Sequence, residues 1–132
     1  MHDGLDVSFS GLKTSVINYV KKNPEVSNVD VAASFQAAVV DVLCAKTIRA
    51  AQKVGAKGIV LGGGVSANSL LRTEMTARGA AAGFTVALPS REMCTDNAAM
   101  IAAAAWHRLA SDGPTNLSCG AYPNLKLDAV PR

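Results

Sequence analysis

Apolar and polar positions recur along this chain with two periods, and the switches between them mark its elements. Asp6-Val-Ser-Phe-Ser10 alternates residue by residue, the period of a short strand, with Gly11 as punctuation. Thr14 to Lys22 changes to helical spacing, with Val16, Ile17 and Val20 on its inner side. Asn23-Pro24 ends that helix, because a residue before proline is pushed out of the α region. The longest periodic segment runs from about Asp30 to Lys53, where Val31, Phe35, Val39, Val42 and Leu43 recur at helical spacing. Asp30 is its expected N-cap and Gly55 its stop. Lys57 to Leu61 reads as a short apolar strand, followed by three glycines and a helix from Ser66 to Ala82 carrying Leu70, Leu71 and Met75. Gly83 breaks that helix, and Phe84 to Leu88 forms a second strand closed by Pro89. A last helix starts near Asp96, capped by Thr95 or Asp96, and runs to about Ala110 before Asp112-Gly-Pro114. Strand, helix, strand, helix in this order predicts an α/β class with a parallel strand pair and a right-handed crossover.

Composition narrows the classes. The chain has 132 residues, enough for one compact domain or one lobe of something larger. Its hydrophobic share of 49% is inflated by 23 alanines, but 32 residues are Leu, Ile, Val or Phe, too many for a disordered chain. The longest uninterrupted apolar run, Ala98 to Trp106, has nine residues against the ~20 of a membrane helix, so no membrane contact is expected. No basic-then-apolar start suggests a signal peptide. Three cysteines without a C-x-x-C pair argue against a zinc knuckle and fit a reducing, cytoplasmic setting. The formal charge of +3 permits a nucleic-acid partner without requiring one. Lys46, Arg49 and Lys53 share a helix face near its C-terminal end, where solvation and the helix dipole explain them as well as a phosphate would.

Candidate chemistry sits at the two strand ends. Leu61-Gly-Gly-Gly-Val-Ser-Ala-Asn68 joins a strand to a helix; glycine there lets the backbone turn and approach a ligand. Free amides at the following helix start suit an anionic or polar group, and Asn68 on the first turn offers both a donor and an acceptor. A tight turn without ligand is the bland alternative. Gly62-x-Gly64-x-x-Ala67 also satisfies a loose dinucleotide fingerprint, but the acidic residue that reading needs is replaced by Pro89-Ser-Arg at the next strand tip. Asp96 is either a cap or a carboxylate presented at the C-terminal edge of a parallel sheet. As a metal ligand it lacks company: His107 lies roughly 16 Å further along at helical rise, and His2 stands alone near the terminus. Cys94 beside a helix start has no histidine placed to act as its base, and Ser8 and Ser10 have no nucleophile-elbow context. No catalytic residue is assigned.

Four strings in order then carry a resemblance. Leu5-Asp-Val-Ser-Phe-Ser-Gly-Leu-Lys-Thr14, Ala32-Ala-Ser-Phe-Gln36, Gly63-Gly-Val-Ser-Ala-Asn68 and Cys94-Thr-Asp-Asn-Ala-Ala-Met-Ile-Ala102 span most of the chain. Together they resemble the C-terminal part of the tRNA adenosine threonylcarbamoyltransferases, the TsaD/Gcp proteins once labelled O-sialoglycoprotein endopeptidases. The resemblance implies the C-terminal lobe of an actin-like ATPase (ASKHA, ribonuclease H-like) fold, occupying residues 1–132. It implies transfer of threonylcarbamoyl from threonylcarbamoyl-adenylate to the adenosine next to the tRNA anticodon. It further implies one metal ion, iron, held by two histidines of an H-x-x-x-H motif on the other lobe and by an aspartate that matches Asp96. Asn68 matches the asparagine that contacts the adenylate substrate, and Gly62, Gly63 and Gly64 match the turn against the nucleotide. Partners implied are tRNA, a TsaB-like paralogue and a TsaE-like ATPase.

The H-x-x-x-H motif and most of the first lobe have no counterpart in this sequence. The chain by itself is therefore expected to be inactive and to hold the metal weakly or not at all. A non-catalytic ASKHA-type module for nucleotide binding or scaffolding is the competing reading. The old metalloendopeptidase label is discounted, because neither H-E-x-x-H nor a nucleophile–base pair is present.

Overall fold

A helix of 26 residues, α2 (Asn28–Lys53), is the spine of the fold. A computed structural model describes residues 4–126. The chain divides into two compact units, residues 1–96 and 97–132.

In the first unit, α1 (Phe9–Lys22) precedes α2, and two short strands follow it, β1 (Gly58–Val60) and β2 (Thr85–Ala87), joined by α3 (Ser69–Ala81). The strands are parallel, with Gly58 opposite Thr85, Ile59 opposite Val86 and Val60 opposite Ala87. α3 is thus the crossover, as the strand–helix–strand order predicts. Its buried stripe, Leu71, Met75 and Gly79, repeats every four residues and meets Val40, Cys44 and Ala51 of α2 and Ile59 of β1 in one core. Burying side chains such as Leu71 and Met75 contributes about 1.5–3 kcal/mol each. An ion-pair fork closes the rim: Arg78 of α3 donates to Asp41 of α2 at 2.6 Å and to Glu74 at 2.8 Å, and both carboxylates push the Arg78 pKa further up. Burial raises the pKa of Cys44, so its thiol stays protonated in this core.

Both core helices end in the same way. Gly55 (φ 61°) and Gly83 (φ 84°) take the left-handed conformation after α2 and α3. Ala56 then donates to Ala51 and Gly55 to Gln52, while Phe84 donates to Gly79 and Gly83 to Ala80, all through the backbone. These are two complete Schellman motifs, each satisfying two orphan carbonyls before the chain enters a strand.

Several local expectations need correction. Asp6 to Ser10 is not a strand: the helix α1 begins at Phe9, and β1 and β2 are the only sheet partners among the described residues. A lone strand would leave its backbone groups unpaired, whereas a helix satisfies its own. The segment is instead tied to α2 by Lys46 Nζ, which donates to the Asp6 carbonyl. Gly11 lies inside the helix. The cap of α2 is Ser27, whose Oγ accepts from Val29 at 3.2 Å; Asp30 occupies the first turn. α2 is also long and apolar enough to cross a membrane, with a mean hydropathy of 1.5 that the count of uninterrupted apolar residues overlooks. Among the described residues its buried positions are Val40, Cys44 and Ala51, which belong to the core.

Sheet coverage is one-sided. Ile59 is buried, while its neighbour Val60, pointing to the opposite face, is 80% exposed. In the second unit, α4 (Ala98–Asp112) contains no buried residue, and Ile101, Trp106 and Leu109 stand open. Its cap is Asn97, which accepts from Met100 at 3.0 Å, and neither Thr95 nor Asp96 fills that position. At its far end Asp112 accepts from Ser111 at 2.7 Å and pairs with Arg108 at 2.8 Å, which together lower its pKa.

Gly79 sets how closely α3 approaches the sheet. A Cβ there would lie 2.4 Å from Val86 Cγ2. Gly79→Ala is therefore expected to destabilise by about 1–3 kcal/mol through overpacking, although helix propensity alone favours alanine by about 1 kcal/mol. Chemical denaturation checks the sign, and adding Val86→Ala should recover part of the loss. A stabilised Gly79→Ala would refute the close approach.

Candidate nucleotide-binding turn

At the C-terminal end of β1 the chain runs through Leu61, whose amide still donates to Ala87, and enters the three glycines. Only Gly63 is forced: φ 82° and ψ 166° form a conformation essentially reserved for glycine. Gly62 and Gly64 lack a positive φ, and a Cβ on either would meet no atom within 4 Å. Neither conformation nor internal packing requires glycine there. The backbone N–H groups of Gly62, Gly63 and Gly64 donate to no described residue. The turn therefore presents exposed glycines with open space where side chains would stand, which suits a ligand that comes close to the backbone.

A 3-10 turn, Gly64–Ala67, follows, and α3 starts only at Ser69. Asn68 is thus the N-cap of α3 rather than a first-turn residue. Its Oδ1 accepts from the Leu71 amide at 3.0 Å, and its Nδ2 donates to Gln36 Oε1 of α2 at 2.9 Å. Ser66 is buried, and both its amide and its Oγ donate to the Gly63 carbonyl, at 2.9 and 2.7 Å. These two bonds hold the unusual Gly63 conformation in place.

One side chain joins this turn to the loop after β2. Arg72, half-buried on α3, donates through Nη1 to the Ser66 carbonyl at 3.1 Å and through Nη2 to the Pro89 carbonyl at 2.7 Å. Cys94 Sγ lies 3.8 Å from Nη1 and donates to the Ser90 carbonyl at 3.3 Å. Nearby, Arg91 donates to Ser69 Oγ at 2.8 Å. The second 3-10 turn, Arg91–Cys94, is thereby packed beside the first, and Asp96 follows it, exposed, between extended Thr95 and the cap Asn97. The structure brings the glycines, Asn68 and the loop leading to Asp96 to one sheet edge. It places no direct bond between Asp96 and Asn68.

Metal binding fares differently. No three His, Cys, Asp or Glu side chains gather as a ligand set among the described residues. His107 is exposed on α4, which begins two residues beyond Asp96, and His2 lies outside the described residues. A single exposed carboxylate does not hold an ion, so these residues do not fit a metal centre by themselves.

Sequence reasoning missed Arg72, Ser66 and Gln36. Arg72 is the fourth residue of α3, beside Leu71 and Thr73, and its carbonyl partners are backbone groups that no motif reveals. Two outcomes follow. Gly63→Ala should cost about 1–3 kcal/mol of stability, while Gly62→Ala should change it by less than about 0.5 kcal/mol, as denaturant midpoints will show. In the native protein, thiol alkylation should label exposed Cys119 and spare buried Cys44 and Cys94; Arg72→Met should add Cys94 to the labelled set.

Residues 1–103 match the protein family described as tRNA N6-adenosine threonylcarbamoyltransferase (TsaD). The tRNA N6-adenosine threonylcarbamoyltransferase of Moorella thermoacetica is 50% identical over 130 residues, covering 96% of this chain and 38% of that protein. The protein of the same name from Fusobacterium nucleatum is 52% identical over 108 residues, covering 79% and 32% respectively. That of Desulfotalea psychrophila is 46% identical over 132 residues, covering 95% and 38%. The chain spans less than two fifths of the length of these curated relatives. With 103 of its 132 residues matched by the family and close relatives aligned across nearly all of it, this chain belongs to the tRNA N6-adenosine threonylcarbamoyltransferase family.

Proposed function

We propose that this chain is the C-terminal, nucleotide-facing lobe of an actin-like enzyme that moves a threonylcarbamoyl group from threonylcarbamoyl-adenylate to tRNA. The observation that carries the reading is the glycine turn: two glycines that neither backbone conformation nor packing requires, and three amides that donate to no described residue. In this reading those amides and Asn68 grip the adenylate. The N6 amine of the adenosine next to the anticodon attacks the carbamoyl carbon and loses a proton. The bond from that carbon to the phosphate oxygen breaks, and adenylate leaves with the electron pair. Gripping the leaving group while the acyl carbon stays open converts binding into orientation.

Asp96 is the one carboxylate this chain would contribute to the metal centre that the family resemblance implies. The remaining ligands and the acceptor surface for tRNA would come from the rest of the enzyme. By itself the 132-residue chain should neither transfer threonylcarbamoyl nor retain stoichiometric iron.

A chimera tests the proposal. Replacing the corresponding segment of the Moorella thermoacetica relative with this chain should preserve threonylcarbamoyl transfer to tRNA. Gly62→Val in that chimera should raise the KM for threonylcarbamoyl-adenylate about tenfold or more without lowering the melting temperature, since the added side chain fills ligand space and not protein space. A folded chimera that transfers nothing, or transfer by the isolated chain, would sink the reading.

A further inference from the structure

Gln36 of α2 and Asn68, the cap of α3, meet side chain to side chain in the lining of a groove of about 450 Å³. Phe9, Phe35, Val39, Leu43, Val65 and Leu71 supply much of its apolar lining, and Gln36 and Asn68 are the polar side chains among its lining residues. The hydrogen bonds of the pair are directional. Oδ1 of Asn68 accepts from the Leu71 amide, and Nδ2 donates to Oε1 of Gln36. A carboxamide engaged at both ends cannot rotate by half a turn without losing both bonds and setting oxygen against oxygen. The N–H groups left over are one on Asn68 and two on Gln36, whose Nε2 donates to no described residue. The pair thus offers a fixed set of donors, which suits a ligand that brings acceptors, such as phosphate, carbonyl or carboxylate oxygens.

We propose that Gln36 is a positioning residue of the nucleotide site, fixing the Asn68 carboxamide so that it offers N–H to an acceptor on the adenylate. This rests on reading Asn68 as a substrate contact, as above. Capping and positioning are separable here. The cap needs only an oxygen at residue 68 and is independent of Gln36, so loss of Gln36 should spare the helix and loosen the ligand. Nothing in the helical periodicity of α2 singles out Gln36, which occupies an exposed position on that helix.

Adenosine monophosphate titrated into the isotope-labelled chimera described above is the test, with Gln36→Met, Asn68→Ser and the double variant. Methionine keeps the length and helix preference of Gln36 but removes Oε1; serine keeps a capping oxygen but has no N–H. Gln36→Met is expected to shift the Asn68 side-chain amide resonances, leave the Leu71 backbone amide in place and weaken nucleotide binding about tenfold, the worth of one hydrogen bond. Asn68→Ser should weaken binding too, and adding Gln36→Met to it should weaken it no further. Asn68 resonances that ignore Gln36→Met, undiminished binding by that variant, or additive losses in the double variant would each overturn the role of Gln36 alone. A chimera without these substitutions that binds no adenosine monophosphate would overturn the nucleotide reading of the turn, and this proposal with it.

Discussion

The guanidinium of Arg72 is the constraint on which the candidate site depends. Two loops leave the same edge of a two-stranded sheet, one after β1 and one after β2, and each buries a small side chain, Ser66 in the first and Cys94 in the second. Arg72 ties them through carbonyl oxygens, Ser66 on one side and Pro89 on the other. Hydrogen bonds from a charged donor are stronger than neutral ones, and the planar fork fixes the angle between its two acceptors. Lysine would supply the charge without the fork. The clamp works beside local bonds: Ser66 holds the Gly63 carbonyl, and Leu71 and Gln36 hold the Asn68 side chain.

A second constraint is the incompleteness of the layers. Two strands do not make an independently stable sheet, and here only the face bearing Ile59 and Val86 is covered, by α3 and α2. Within that unit the opposite face carries Val60 in the open, in a chain that spans less than two fifths of its curated relatives.

Much of this was legible in the residues themselves. The helical stripes, the glycine stops and the two apolar strand cores led to the right elements, with boundaries displaced by a few residues. The exceptions have physical causes. Alternation at Asp6 to Ser10 suggested a strand because the period of two is a local signal, whereas a strand exists only where a neighbour accepts its hydrogen bonds. Caps were misplaced at Asp30 and at Thr95 or Asp96 because Ser27 and Asn97 compete with them one to three positions away, and only geometry decides which oxygen reaches an amide. At the site, Gly62, Gly63, Gly64 and Asn68 could be read from the string. Gln36 and Arg72 could not, because their meaning lies in partners distant in sequence or in backbone carbonyls, which carry no letter.

The paired Schellman endings at Gly55 and Gly83 reach further than the helices they close. Each hands the chain from a core helix to a strand, and the crossover through α3 makes those two strands parallel. Both helix endings therefore lie where the strands begin. Because both strands then run out at the opposite edge, the glycine turn and the loop leading to Asp96 arrive side by side. The rigid helix endings and the candidate chemistry are thus kept at opposite ends of the same two strands.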